Sequence, residues 1–342
     1  MRREAIDRRT FFGIAGSSAM GSCAAHLALT LGAGTATARR LFAAVPLGPV
    51  AGREPWGRIE NLAEGAWALV STTLAGGEDA TRTFSNGGIV AGRDGVLVVE
   101  GFASEDGARW LAKAARELTG RWPTHVVLTH YHGDHSNGLA GYEMGAAGPI
   151  YVSTAVTRED LEASGRERGH ASAAVETLDS DRVRMIEKEA VTIDLGDRRV
   201  RIEPRSGHTR SDLVVVLEDP RLVWCGDLVW NGLFPNYMDA TPSLLSRHVR
   251  ALLDDRAERW VPGHGSLADG EALETYVTLL DDVELAARRA VDAGTPAADA
   301  AGDYRPPGEL GDWVLFSPGY YEVAFRAWER ELNTTDPASP SG

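Results

Sequence analysis

Three histidines and an aspartate lie within six consecutive positions of this sequence, in the stretch HYHGDH that begins at His130. The stretch uses three of the chain's nine histidines and follows directly on a short apolar run. In an extended segment, residues two positions apart project to the same side, so His130 and His132 can bind one metal ion together. Gly133 is expected to allow a sharp turn, after which Asp134 and His135 can face a neighbouring position.

Other residues of metal-ligand type occur beside glycine near the ends of later strands. His208 stands in SGHT, Asp227 in CGD and His264 in PGHG. Loops at the ends of strands collect into clefts, so these residues can converge on the histidine cluster. A lone buried histidine is usually a hydrogen-bonded core residue, but three such positions beside the cluster predict a metal site.

The elements that must position these residues are hairpins, buried strands and helices, repeated in two halves without a linker between them. A short buried strand over His125–Thr129 is predicted to deliver the motif at its carboxyl end. The polar segment 164–184 shows no clear period and is predicted to be a surface helix or a lid. This repetition predicts a single α+β domain in which two sheets pack face to face with helices outside. The other predicted elements are strands over 67–73, 150–152, 213–217 and 222–225, hairpins over 88–100 and 191–203, and helices over 105–119, 157 onward, 243–253 and 270–293.

The N-terminus carries a twin-arginine pattern, Arg8-Arg9, before a stretch rich in small and apolar residues that ends in a small-x-small cleavage site at Ala36–Ala38. The alternatives are an N-terminal helix that stays in the membrane as an anchor, or a disordered tail. Lipidation of Cys23 is a further way in which the N-terminus could attach to a membrane. Periplasmic or other extracytoplasmic localisation is therefore expected. The predicted divisions are a signal peptide over 1–38, a linker over 39–57, the main domain over 58–300 and a C-terminal extension with a disordered tail over 301–342.

Composition narrows the possible partners. The 342 residues are 43% apolar and 25% charged, with a formal net charge of -14. Such a charge repels phosphate backbones, so a small-molecule substrate is expected and nucleic acid is not. No segment reaches the roughly 18 apolar residues that a membrane span needs, so membrane contact is expected only through the export signal or a lipid at Cys23. Since Cys23 lies in the removable segment and Cys225 is the second of two cysteines, no disulfide framework is expected.

The order and number of these ligand-type residues resemble those of the metallo-β-lactamase-fold hydrolases, whose H-x-H-x-D-H signature is present intact. The resemblance extends from about Trp67 to Leu280. It implies a four-layer αβ/βα sandwich with a dinuclear metal site at one edge of the two sheets. The implied ligands are His130, His132 and His208 for the first ion, Asp134, His135 and His264 for the second, and Asp227 bridging both.

This resemblance also implies a reaction. Two divalent ions close together lower the pKa of a shared water from about 15.7 to near 7, and the resulting bridging hydroxide attacks an ester-, thioester-, lactone- or lactam-type bond. Asp134 is expected to orient that hydroxide as the catalytic residue. Two Zn²⁺ ions per chain are favoured, although the spacing alone does not separate zinc from iron or manganese.

The predicted ligands exclude several branches of this family. Lactamases with a cysteine ligand carry a thiolate where this chain has Asp227, and Cys225 is expected in the core. His132 excludes the flavodiiron pattern, and the charge and export signal fit nucleic-acid-cutting branches poorly. The glyoxalase II-like set remains, including exported members that resemble sulfur-oxidation and quinoprotein-associated metallohydrolases. Glu100 departs from that set, because many relatives carry an aspartate there that supports the motif loop.

Two functions of other classes compete with a dinuclear hydrolase. A mononuclear iron oxidoreductase resembling persulfide dioxygenases shares the signature, and a non-catalytic exported metal-binding protein could use the same scaffold. The complete ligand set disfavours the second alternative. Four residues after Asp227 are candidate substrate-binding residues, although an aromatic cluster more often belongs to a core: Trp230, Asn231, Phe234 and Tyr237.

Overall fold

The structure, a computed structural model, describes residues 46–72, 82–145, 147–168 and 172–335. The predicted signal peptide over 1–38 and the possible lipidation site at Cys23 lie outside the described residues.

The first sheet has eight strands in sequential order, from β1 at one edge to β8 at the other. Strands β1 to β5 pair antiparallel with their neighbours, and β5 to β8 pair parallel. The carboxyl ends of four neighbouring parallel strands, β5 to β8, therefore meet at one edge of the sheet. The strands are β1 (Val50–Glu54), β2 (Gly57–Ala63), β3 (Ala66–Ser71), β4 (Gly87–Ala91), β5 (Val96–Val99), β6 (His125–Val127), β7 (Ile150–Thr154) and β8 (Val183–Ile186).

The second sheet has five strands in the order β13-β12-β11-β10-β9. Strands β9 to β12 pair antiparallel, and β12 pairs parallel with β13. The register of β12 against β13 shifts around Gly226, so the chain there departs from a regular ladder. The strands are β9 (Val191–Asp194), β10 (Arg199–Arg205), β11 (Asp212–Glu218), β12 (Arg221–Asn231) and β13 (Arg259–Gly265).

Eight α-helices and two short 3-10 turns complete the described part of the chain. The 3-10 turns are Leu139–Tyr142 and Gly308–Leu310. The helices are α1 (Glu105–Thr119), α2 (Gly133–Ser136), α3 (Ala155–Arg168), α4 (Ala173–Leu178), α5 (Pro242–Asp254), α6 (Gly270–Asp292), α7 (Ala297–Asp303) and α8 (Tyr320–Thr335).

Three buried apolar clusters separate four layers. One cluster joins the inner faces of the two sheets and includes Leu97 and Leu213. A second packs the outer face of the first sheet against α1, α3 and α4, and a third packs the outer face of the second sheet against α5, α6 and α8. The predicted α+β sandwich with helices outside both sheets is confirmed.

Helix α1 is an element whose bounds the sequence predicts correctly. Its amphipathic pattern gives the predicted bounds Glu105–Thr119, and the Ser104 side chain accepts a hydrogen bond from the amide of Gly107 as N-cap. The helix ends at Gly120, whose φ of 76° is a left-handed conformation that glycine adopts at low cost. Local sequence signals therefore define both ends.

Two predicted boundaries differ from the structure. The segment 39–57, predicted as a linker, contains β1 and the first residue of β2, so the sheet begins before position 58. The chain after 300, predicted as an extension, contributes α8, whose Trp328 is fully buried in the core against α6. The segment 164–184 is predicted as a surface helix or a lid. Its described residues contain the end of α3, helix α4 and the start of edge strand β8. The predicted disordered tail falls partly on 336–342, which lie outside the described residues.

Within the described ranges, no helix combines the length and the apolar character needed to cross a membrane.

Candidate metal centre

All seven residues predicted as metal ligands meet at one edge of the two sheets. His130 and His132 follow β6, Asp134 and His135 lie on α2, and His208 lies in the loop between β10 and β11. The other two, Asp227 and His264, lie on the parallel strands β12 and β13. Gly133 is the first residue of α2, where the chain passes from the extended backbone of His132 into the helical turn that carries Asp134 and His135.

The first group of donors consists of His130, His132, His208 and Asp227, whose ligand atoms lie within 4.8 Å of one another. Three of the four are buried, and the His132 side chain is 11% exposed. The His208 Nε2 lies 2.9 Å from the His132 Nδ1 and 3.2 Å from the Asp227 Oδ2. The His130 Nε2 lies 3.9 Å from the same Oδ2 and has no hydrogen-bond partner. A buried ring nitrogen without a partner is costly, and a metal ion at this position would satisfy it.

The second group consists of Asp134, His135 and His264, and its ligand atoms also lie within 4.8 Å of one another. The Asp134 Oδ2 lies 3.1 Å from the His264 Nε2 and 3.6 Å from the His135 Nε2. Of the three side chains, only Asp134 is more than marginally exposed, at 27%. The group therefore offers two buried imidazoles and one carboxylate, and solvent reaches only the carboxylate.

Asp227 lies between the two groups and directs one carboxylate oxygen to each. Its Oδ2 faces the first group, and its Oδ1 lies 3.1 Å from the His135 Nε2 and 3.4 Å from the His264 Nε2. This arrangement requires glycine at position 263, because a Cβ there would lie 1.9 Å from the Asp227 Oδ1. Cys225 is fully buried in the cluster that packs the second sheet against α5, α6 and α8, here called the helix-side core, and burial raises the pKa of its thiol. Its position is that of a core residue.

The charges in the site are strongly coupled. Burial alone would raise the pKa of Asp227, but His264, His135 and His208 hold it well below its usual range. Burial likewise opposes protonation of His264, yet Asp227 and Asp134 raise its pKa to about 9. Burial lowers the pKa of His208 to about 3. The buried carboxylates are therefore stabilised by positive charge beside them. Divalent cations would supply that charge and would displace the protons from the histidines.

Two buried carboxylates hold the ligand loops. Glu100, with a φ of 83°, places its Oε1 3.1 Å from the His135 Nδ1 and accepts a hydrogen bond from the Thr129 hydroxyl. It thus supports the motif despite its extra methylene. Asp212, which sequence reasoning missed, accepts hydrogen bonds from the backbone amides of His208 and Thr209 at 3.1 Å each. An acidic residue four positions after His208 was the available signal.

Of the four candidate substrate-binding residues, one borders the site, one holds a neighbouring loop and two lie in the core. The Trp230 ring lies 4.1 Å from the His264 ring, so Trp230 borders the site. The Asn231 amide donates to the carbonyl oxygens of Ser266 and Leu267 and holds the chain after β13. Phe234 and Tyr237 are fully buried in the helix-side core and do not border the donor groups.

Two aromatic residues that sequence reasoning missed also contact the second group. Phe316 lies 5.3 Å from the His264 ring, and the partly buried Phe84 stacks on Phe316 at 5.4 Å between centroids. Phe84 has a φ of 63°, a conformation that is costly for a bulky residue. The next residue, Ser85, donates to the Asp134 carbonyl oxygen at 2.8 Å, which ties this segment to α2. We call Phe84, Trp230 and Phe316 the aromatic wall.

Comparisons with known proteins agree with this geometry. A family model described as the metallo-beta-lactamase superfamily matches residues 80–264, more than half of the chain. The acyl-coenzyme A thioesterase MBLAC2 of Homo sapiens is 27% identical over 188 residues, which cover 47% of this chain and 63% of that protein. The Bos taurus protein of the same name is 26% identical over 177 residues, again covering 47% and 63%. The chain therefore spans less than two thirds of the length of these curated relatives.

Solved structures share the fold at low identity. A metallo-beta-lactamase from Pontibacter korlensis superposes with a TM-score of 0.53 and 19% identity, covering 66% of this chain and 99% of that one. The inverting sec-alkylsulfatase Pisa1 from Pseudomonas sp. superposes with a TM-score of 0.62 and 13% identity, covering 95% of this chain and 64% of that one. At such identities the likeness concerns the fold alone. The family match, the four-layer sandwich and the paired donor groups together place this chain in the metallo-beta-lactamase superfamily.

Proposed function

We propose that this protein is a dinuclear metal-dependent hydrolase that acts on an ester-, thioester-, lactone- or lactam-type bond, with zinc as its metal. The observation that carries the proposal is the position of Asp227, whose two oxygens face two separate donor groups. Histidine nitrogens and carboxylate oxygens are the ligands of hydrolytic zinc sites. Because the single carboxylate of Asp227 lies between two separate donor groups, the site favours two metal ions over one.

When bound, two divalent ions would lower the pKa of a nearby water toward 7 and polarise the bond under attack. The protein's own groups do the remaining work. Asp134 is the one second-group side chain that solvent reaches, so it can accept a hydrogen bond from the attacking water and orient it. Burial of the histidines excludes bulk water, and the Glu100 contact with His135 fixes that ring in place.

Within these bond types, a thioester with an apolar acyl group is the leading substrate class. The named relatives are acyl-coenzyme A thioesterases, although the chain spans only part of their length. The aromatic wall lies on the second-group side of the site, where Trp230 and Phe316 are buried and the partly buried Phe84 offers an apolar face. Such a surface favours an acyl chain over a charged substituent.

A panel of small substrates tests this proposal. We expect the metal-loaded protein to hydrolyse straight-chain acyl thioesters faster than lactones, β-lactams or phosphodiesters. A chelated sample and the His130→Ala variant serve as controls, and both should be inactive. Absence of metal-dependent hydrolysis across the whole panel would contradict the proposal.

The iron-containing alternative makes a different prediction with the same preparation. A mononuclear oxidoreductase resembling persulfide dioxygenases would hold one iron and consume oxygen with a persulfide substrate. The second donor group, complete with Asp134, His135 and His264, favours the dinuclear hydrolase. The full set of donors likewise argues against a non-catalytic metal-binding protein.

We further propose that the protein acts outside the cytoplasm after twin-arginine export. The support is the Arg8-Arg9 pattern and the small-residue stretch that follows it. Replacing both arginines by lysine should leave the precursor in the cytoplasm, because the pathway reads the arginine pair. Fractionation of cells that express the two forms measures this. Periplasmic accumulation of the lysine variant at the wild-type level would refute the export route.

A further inference from the structure

A carboxylate outside the seven predicted ligands contacts one of them directly. Asp239 lies in the connection between β12 and α5, and its Oδ2 lies 3.1 Å from the His132 Nε2. The same oxygen accepts a hydrogen bond from the Tyr131 hydroxyl at 2.6 Å. The Asp239 side chain is 18% exposed, so the contact is largely shielded from solvent.

The geometry of His132 gives this contact a specific consequence. The Nδ1 of His132 faces the first donor group, at 2.9 Å from the His208 Nε2. The Nε2 therefore points away from that group, toward Asp239. A carboxylate only accepts hydrogen bonds, so it favours the tautomer in which Nε2 carries the hydrogen. That tautomer leaves the Nδ1 lone pair free to bind a cation.

The loop that carries Asp239 is held from two directions. The Thr241 amide donates to the Gly207 carbonyl oxygen at 2.9 Å, which joins the loop to the segment before His208. From helix α8, the Arg330 guanidinium donates to the Ala240 carbonyl oxygen at 3.2 Å, and the Glu331 carboxylate accepts from the Ser243 amide at 3.1 Å. Helix α8 lies well beyond the region that matches the family, which ends at 264.

We propose that Asp239 is a positioning residue that orients His132 toward the first metal ion, and that helix α8 fixes Asp239 for this role. The proposal rests on the metal site of the proposed function but not on its substrate. It assigns the C-terminal helix a part in metal binding through the chain of contacts from Arg330 to the Asp239 loop. An outer carboxylate of this kind is worth about 10–100-fold in metal affinity or activity.

The test measures affinity for the first equivalent of Zn²⁺ by competition with a chromophoric chelator, and the visible spectrum with one equivalent of Co²⁺. We expect Asp239→Ala to weaken affinity by about 10–100-fold and to shift the cobalt bands. Asp239→Asn keeps a neutral acceptor and should lie between Asp239→Ala and the wild type. Arg330→Ala should weaken affinity in the same direction by less. Tyr131→Phe removes one hydrogen bond to Asp239 but keeps the carboxylate beside His132, so its loss of affinity should be much smaller than that of Asp239→Ala.

Asp282→Asn is the matched control, because Asp282 accepts a hydrogen bond from the Tyr304 hydroxyl at 2.8 Å away from the donor groups. It should leave affinity and spectrum unchanged. Wild-type affinity and an unchanged cobalt spectrum in folded Asp239→Ala or Asp239→Asn would overturn the proposal while leaving the hydrolase intact. A protein that binds zinc and loses affinity in these variants, yet hydrolyses nothing, would instead contradict the proposed function alone.

Discussion

The His130→Ala variant should lose both its first metal ion and its hydrolytic activity. The His130 Nε2 is buried, has no hydrogen-bond partner and faces the other donors of the first group. Alanine removes a ligand that water replaces poorly, so the site weakens and the attacking water is no longer acidified. We expect the turnover to fall by more than the roughly 100-fold that the loss of an outer partner costs. His132→Ala should behave in the same way.

Elemental analysis and turnover measured on one preparation check this prediction. His125→Ala is a suitable control, because His125 lies on β6 a few residues before the motif and bonds to the Thr124 hydroxyl through its Nδ1. The control should keep its metal and its activity. Full activity in His130→Ala or His132→Ala would remove the metal interpretation of the site.

The second large effect is expected at Asp227. Two divalent ions held close together repel each other, and a carboxylate between them offsets that repulsion. Asp227→Asn keeps the shape of the side chain but removes its charge, so the second ion should bind more weakly while three histidines still hold the first. At limiting zinc we expect about one ion per chain, and turnover lower by about two orders of magnitude. Excess zinc should restore part of the activity.

The Cys225→Ser variant tells apart two assignments of the metal ligand, Asp227 and Cys225. Cys225 is fully buried two residues before Asp227, and its thiol donates a long hydrogen bond to the Val223 carbonyl oxygen at 3.8 Å. Serine at this position should reduce stability more than metal content. Zinc content and turnover of both variants decide the question. A severe loss of zinc in Cys225→Ser beside an unaffected Asp227→Asn would overturn the ligand assignment.

The positions of the donors could be predicted because their signals are local. Histidine and aspartate types, their spacing in the HYHGDH stretch and the glycine beside each later donor are all visible in the sequence. Helix α1 could be bounded for the same reason, since its cap at Ser104 and its apolar face are encoded within a few residues. In both cases the signal lies in residue types and in spacings of a few positions, so it can be read without knowing the fold.

The contacts of Asp239 and Phe316 could not be predicted, because they join residues that are far apart in the sequence. Asp239 lies 107 positions from His132, and Phe316 reaches His264 from the segment before α8. Neither residue type stands out in its own surroundings. Strand β1 was missed for another reason: its side chains are mostly exposed, so it lacks an apolar pattern and is defined by pairing with β2.

The metal content of the purified protein tests the central claim most directly. The protein would be stripped with a chelator, and Zn²⁺ would be added back stepwise while bound metal and thioester hydrolysis are both measured. We predict two ions per chain, with hydrolysis rising steeply as the second equivalent binds, because Asp227 faces two complete donor groups. Full activity at a single equivalent, or a protein that retains one iron and consumes oxygen with a persulfide, would contradict the dinuclear hydrolase.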